Sequence, residues 1–351
     1  MLATVHSGVA QTPTLVPAKP TCPACRIALQ ESIALGEADG IGMLEADRNI
    51  VQRDSRGNFY VNDGVAPYYW VFDQRGQPLK RVGGRGSGPG EFQKITALAI
   101  GTNDSVYAFD FRLSRMSVLT SQGQFVRSVP TEYRPDLFEH AVLGSRVVLN
   151  ANIRTPDRVG LPVHLLDRNG RILRSFGSVE GDYRPDVAYA DRRVLAAAGP
   201  DAVWSGRSNR YLVERWDTAG RLLQSLEREP EWFREYWKDD ISANSPPAPH
   251  TTALLQHGDT LWVVLTIADP NWKTVVKSAS PDGRFFKISD ENSYRDVMLE
   301  AIDVRKGQLL LSTKLPRIIW GFLGPGVVYG PKSRADGNPA VQVWDLRVVH
   351  P

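Results

Sequence analysis

Four short segments of this chain bring an aromatic ring, a cation and a carboxylate together. Tyr133-Arg134-Pro135-Asp136 and Tyr183-Arg184-Pro185-Asp186 are near copies, and Tyr236-Trp237-Lys238-Asp239 and Tyr294-Arg295-Asp296 are variants. A guanidinium offers a planar fork that fits a carboxylate or phosphate, and Tyr or Trp faces suit sugars and peptides. Gathered in one place, these groups make a cationic pocket with an aromatic rim. In the structural alternative each Arg pairs with a nearby Asp and each ring packs between repeats. Glu229 to Asp240 carries Trp232, Phe233, Tyr236 and Trp237 on one face of an expected short helix, with a proline in its first turn. That helix either joins the pocket or caps the core. Lys332 and Arg334, beyond Ile318-Ile319-Trp320, add two cations. The candidate ligand-binding set is therefore Tyr133, Arg134, Tyr183, Arg184, Trp232, Tyr236, Trp237, Lys238, Arg295, Lys332 and Arg334, with no catalytic or metal-binding residue nominated.

Other reactive groups are few. Cys22-Pro23-Ala24-Cys25 is a lone C-x-x-C followed by Arg26, where haem attachment requires His. No second cysteine pair or histidine cluster completes a zinc site. A local disulfide between Cys22 and Cys25, or two idle thiols, is the expectation. The six histidines, His6, His140, His164, His250, His257 and His350, show no metal-ligand spacing. Gly83-Gly84-Arg85-Gly86-Ser87-Gly88-Pro89-Gly90 looks like a phosphate-cradling loop, yet no Lys-Ser/Thr and no helix start follow it. No cofactor is expected.

The elements that must position these groups are repeats. A turn between two apolar runs recurs at Asp73 to Gly76, Thr120 to Gly123, Asp167 to Gly170 and Asp217 to Gly220, with a looser copy at Ser280 to Gly283. Glycine at such turns supplies the positive φ that a tight hairpin needs. Two further strands precede each turn, as in Ile95 to Ile100 and Ser105 to Phe109. Four strands in a unit of about fifty residues describe a propeller blade. Six units fit, the last starting near Val297. Its missing outer strand is supplied by residues 26 to 35, because Gly36 to Leu44 repeats the pattern of Gly84 to Phe92. The expected fold is thus all-β: a six-bladed propeller of four-stranded antiparallel blades, closed by an N-terminal strand. Chain direction puts the hairpin glycines on the bottom. The blade-to-blade loops, including Glu229 to His250, lie on top, as does Leu315 to Pro339, read as the loop between second and third strands of the last blade.

On these glycines and turns the chain resembles the NHL-type six-bladed propellers and, more narrowly, a bacterial "6-bladed β-propeller" family of secreted and lipid-anchored proteins. The resemblance implies the fold over residues 26 to 350 and an extracytoplasmic compartment, periplasmic or secreted, with a cytoplasmic one left open. It implies no reaction. Related propellers that act as amidating lyases need His-bound zinc. Lactonase-like ones hold a divalent ion with carboxylates, and here Asp136, Asp186, Asp239 and Asp296 have cations beside them.

Residues 1 to 25 read as a disordered arm, with Val9-Ala10-Gln11 resembling the end of a signal peptide, and 26 to 351 as the propeller. No apolar run is long enough to span a bilayer. A net charge of +3 without a Lys/Arg run argues against a nucleic-acid partner. The expected function is a monomeric binding module whose top face recognises a peptide, glycan or anionic partner. The alternative is a metal-dependent hydrolase or lyase working in the channel.

Overall fold

The computed structural model describes residues 12–351 except Ala38, Asp47, Val65, 132–138, Arg154, 178–191, 237–241 and Asp282. Six four-stranded antiparallel sheets follow one another in the chain. Their inner strands are Ile50–Arg53, Ile95–Ile100, His140–Leu143, Arg193–Ala197, His250–His257 and Gly321–Gly324. Each inner strand packs against the next, and the sixth against the first. That cyclic adjacency makes the chain a six-bladed β-propeller. Apolar side chains fill the spaces between neighbouring blades, as where Tyr69 and Val82 of blade one meet Leu98 and Val106 of blade two.

The ring closes as the sequence pattern implies. Arg26–Leu35 pairs antiparallel with Pro339–Val349, from Arg26 opposite Val349 to Leu35 opposite Val341. The paired strand removes an open sheet edge. The two glycine junctions share one geometry, with Gly83 rather than the expected Gly84 in the place of Gly36, since a Cβ on Gly84 would meet open space. Gly36 (φ +82°) and Gly83 (φ +91°) leave no room for a Cβ, which would lie 2.6 Å from Leu44 and 2.7 Å from Phe92 respectively. Leu44 and Phe92 are both fully buried under these glycines. The carbonyls of Ser87, Gly88 and Glu91 accept hydrogen bonds from Arg115, so the glycine run is a blade junction and not a phosphate cradle. On the bottom face, Asp73, Asp167 and Asp217 each accept backbone N–H bonds from the residues two and four further on, which locks the hairpins.

Blade five differs from the expected frame. Its strands are His250–His257, Thr260–Ala268, Arg295–Asp303 and Gln308–Leu315. The turn between its third and fourth strands is therefore Asp303 to Gly307, not Ser280 to Gly283. Gly283 does have positive φ, but it sits in a hairpin, Val276–Ser278 with Phe286–Ile288, inserted between second and third strands. The inserted hairpin carries the same turn chemistry, which is why it mimics a blade turn. The last blade begins at Gly321 rather than near Val297. Leu315 ends blade five, and Val327–Ser333 is the second strand of blade six.

The described part of the expected arm, from residue 12 on, packs against the ring. Thr14–Leu15 adds a fifth, parallel strand to blade four, and Val16 is buried in its core. Thr21 and Cys22 then donate backbone bonds to Leu309 and Leu310 of blade five before the chain enters blade six. Residues 14 to 35 thus strap three consecutive blades together.

Candidate functional site

The residues just ahead of the inner strands form the rim of the central channel on the top face. Arg48 stands two residues before Ile50, Glu139 one before His140 and Arg192 one before Arg193, while His250 opens its own strand. The loops that hold them are cross-braced. Ser208 donates its N–H to the Arg192 carbonyl, Thr251 donates to Ser208, and Tyr236 and Asn209 exchange hydrogen bonds.

Arg48, Arg192, Arg295, His250, Tyr236 and Tyr294 line a rim cavity of about 140 Å³, closed on one side by the Pro246-Pro247 segment. Arg48 also lines the axial cavity below, of about 460 Å³, together with Glu139, His140 and Tyr329. Arg48 is thus common to both linings.

The electrostatics follow from crowding cations in a recess. Burial first, and then repulsion from Arg295, Arg192 and Arg48, push the His250 imidazole down to about 3, so it is neutral at ordinary pH. The Arg48 guanidinium is itself shifted down, by burial and then by Arg192. Glu139 is pushed up to about 7 by desolvation, against the pull of Arg192 and Arg48 and a backbone N–H from Leu195. Among the described residues the Arg192 side chain has no carboxylate within ion-pair contact, Glu139 included. Arg295 lies over the Tyr294 ring at 4.9 Å and reaches Glu291 at 3.8 Å. Burial raises the Tyr329 phenol to about 12; its oxygen is 3.5 Å from the Val51 N–H.

The sequence-predicted residues divide. Tyr133, Arg134, Tyr183, Arg184, Trp237 and Lys238 lie outside the described residues. Tyr236 and Arg295 reach the rim, although Arg295 begins the third strand of blade five rather than preceding an inner strand. Trp232 does not reach it: its ring packs on Tyr211 and Phe233, capping the core of blade four. No helix forms over residues 229–236. Lys332 pairs with Glu37 at 2.5 Å, and Arg334 with Asp39 and Asp336, at the upper end of the second strand of blade six. Glu37 and Asp39, in the loop entering blade one, compensate these two cations, and neither of them lines the rim cavity. Cys22 and Cys25 form a disulfide, with His350 Nδ1 3.3 Å from the Cys25 sulfur.

Arg48, Glu139 and Arg192 were missed. Their signal is positional: each falls one or two residues ahead of a run that reads as an inner strand, where a side chain points at the axis.

A family model described as "6-bladed beta-propeller" matches residues 49–128. No curated protein sequence matches the chain. Among solved structures, a Bacteroides fragilis NCTC 9343 protein described as exported is similar at a TM-score of 0.63 and 10% identity, over 96% of this chain and 100% of its own. A member of the duf4221 family from Bacteroides vulgatus gives 0.60 at 11% identity, over 93% and 99%. A streptogramin B lyase gives 0.49 at 11%, over 92% and 98%, too loose a likeness to speak to activity. These likenesses concern the fold.

Proposed function

We propose that this propeller is a binding module whose top face holds an anionic group at the channel mouth. The observation that supports this most is the convergence of Arg48, Arg192 and Arg295 on one recess, with His250 neutral beside them. Guanidinium groups crowded in a partly desolvated site are stabilised by an incoming carboxylate or phosphate, which offers each a charge-assisted bond. Tyr236 lines the same recess and adds an aromatic ring beside the anion, while the buried Tyr294 ring holds Arg295 in place.

The competing reading, a metal-dependent hydrolase or lyase, has less to stand on. Among the described residues the one cluster with metal-ligating spacing is Cys22, Cys25 and His350, remote from the channel, and its sulfurs are joined in a disulfide. Asp296, the described member of the four repeated aspartates, is bound to Lys314 at 2.6 Å. An extracytoplasmic location accords with the disulfide. No helix among the described residues is long and apolar enough to cross a membrane.

The test is thermal stabilisation by inorganic phosphate, sulfate and small carboxylates, for the parent protein and for Arg192→Ala and Arg295→Ala. A bound anion raises the melting temperature in proportion to RT ln(1 + [L]/Kd). Losing one charge-assisted bond should weaken binding by about 1.5–3 kcal/mol, roughly 10- to 150-fold. Stabilisation by none of these anions, with a divalent metal instead co-purifying at one per chain, sinks the reading in favour of the enzyme.

A further inference from the structure

The charged rim recess and the axial cavity share Arg48 in their linings, and the axial cavity has a different chemistry. Below Arg48 and Glu139 the axial cavity is walled by Val142, Leu195, Leu254, Phe322 and, near the far end of its strand, Ile100. This polarity is built into the blades. The inner strands start at the rim and descend, so their first residues meet the loops and solvent, while the following ones are mostly apolar, with Gln52 and Thr252 as polar members of the wall. A space of about 460 Å³ lies within the range of small-molecule sites and equals roughly fifteen water volumes. A plain inorganic anion would leave most of that apolar wall against water.

We propose that the ligand is an amphipathic carboxylate, its head held by Arg48, Arg192 and Arg295 and its apolar body inserted into the channel. This rests on the anion-binding reading above and names its ligand class. Direction is set by the charges: the cations lining the two spaces, Arg48, Arg192 and Arg295, sit at the top, so the body points down. A free acyl or aryl acid and the C-terminus of a peptide ending in apolar residues share this chemistry.

The experiment is calorimetric titration of the full-length protein with acetate, butanoate, hexanoate and octanoate, with 1-octanol as the headless control. A parallel arm uses N-acetyl-leucyl-leucine and its C-terminal amide. If the body enters the channel, affinity rises about fourfold per methylene, so hexanoate binds about two orders of magnitude more tightly than acetate. Octanol and the peptide amide fail to bind at the same concentrations. Comparing octanoate with the free-acid peptide shows which source fits better; tight binding of either upholds the class.

Val142→Trp, which fills the channel, should abolish the chain-length gain and keep the weak acetate binding. Phe322→Ala, which widens the channel, is the second variant should the first fail to fold, and should flatten the gain several-fold. Equal affinity along the whole series overturns the channel assignment while leaving the anion site standing. Failure of every carboxylate, acetate included, overturns both. Octanol binding as tightly as octanoate overturns the role of the arginines as head clamp.

Discussion

Glu139 gives the sharpest test of the rim's electrostatics. It sits beside Arg48 and Arg192, and desolvation holds its carboxyl at about 7 instead of 4.5. Ionised, Glu139 is a resident competitor for any anion seeking the same guanidiniums; protonated, it is not. If anions bind only to the protonated form, apparent affinity scales as 1/(1 + 10^(pH − pKa)). Between about pH 6 and about pH 8 it should then fall roughly tenfold. Neighbouring groups do not mimic this: His250, at about 3, stays neutral, and Tyr329, at about 12, stays protonated.

Glu139→Gln should bind more tightly than the parent at about pH 8 and show a flat profile. His140 lines the same cavity, so the variant, not the profile alone, assigns the titration. The same carboxyl affects folding. Its folded pKa is raised, so the stability it contributes is fully present below about 4.5 and lost as pH rises through about 7. The most it can contribute is about 3 kcal/mol, which denaturant unfolding of parent and variant across that window would register. A parent protein whose anion affinity and stability both follow Glu139→Gln at every pH would refute the reasoning, because the carboxyl would then be an ordinary solvated one.

Three further outcomes are expected. Glu300 is buried and accepts from Arg228, from Tyr211 at 2.6 Å and from Ser312 at 2.8 Å; Arg228→Met leaves it uncompensated and should cost about 3–5 kcal/mol in urea unfolding. Deleting residues 1–35 removes the strap and the closing strand, exposes the edge of Pro339–Val349, and should produce aggregation visible by light scattering; a monomeric truncated protein with the parent's melting temperature would contradict the closure. Replacing Cys22 and Cys25 by serine opens only a short loop, so the loss should be about 2 kcal/mol or less by chain entropy, read as a small drop in urea midpoint with anion binding unchanged.

The architecture is written in the chain's local turn chemistry. Turn glycines such as Gly76 and Gly170 and the paired junctions Gly36–Leu44 and Gly83–Phe92 are local signals, because each turn demands its φ from its own few residues. They were therefore legible without the third dimension, and with them the ring, its closing strand and its top face. Blade five was misread for the same reason: the inserted hairpin around Gly283 satisfies the same local rule as a blade turn. Which side chains meet is set by the folded ring. Arg48, Glu139, Arg192 and Arg295 come from four blades, far apart in the chain, and nothing local distinguishes Arg295 at the rim from Arg334, which Asp39 and Asp336 compensate outside the rim cavity. A site on a propeller axis is assembled by ring closure, so its members share no spacing. Their burial and mutual repulsion exist only once the blades are in place.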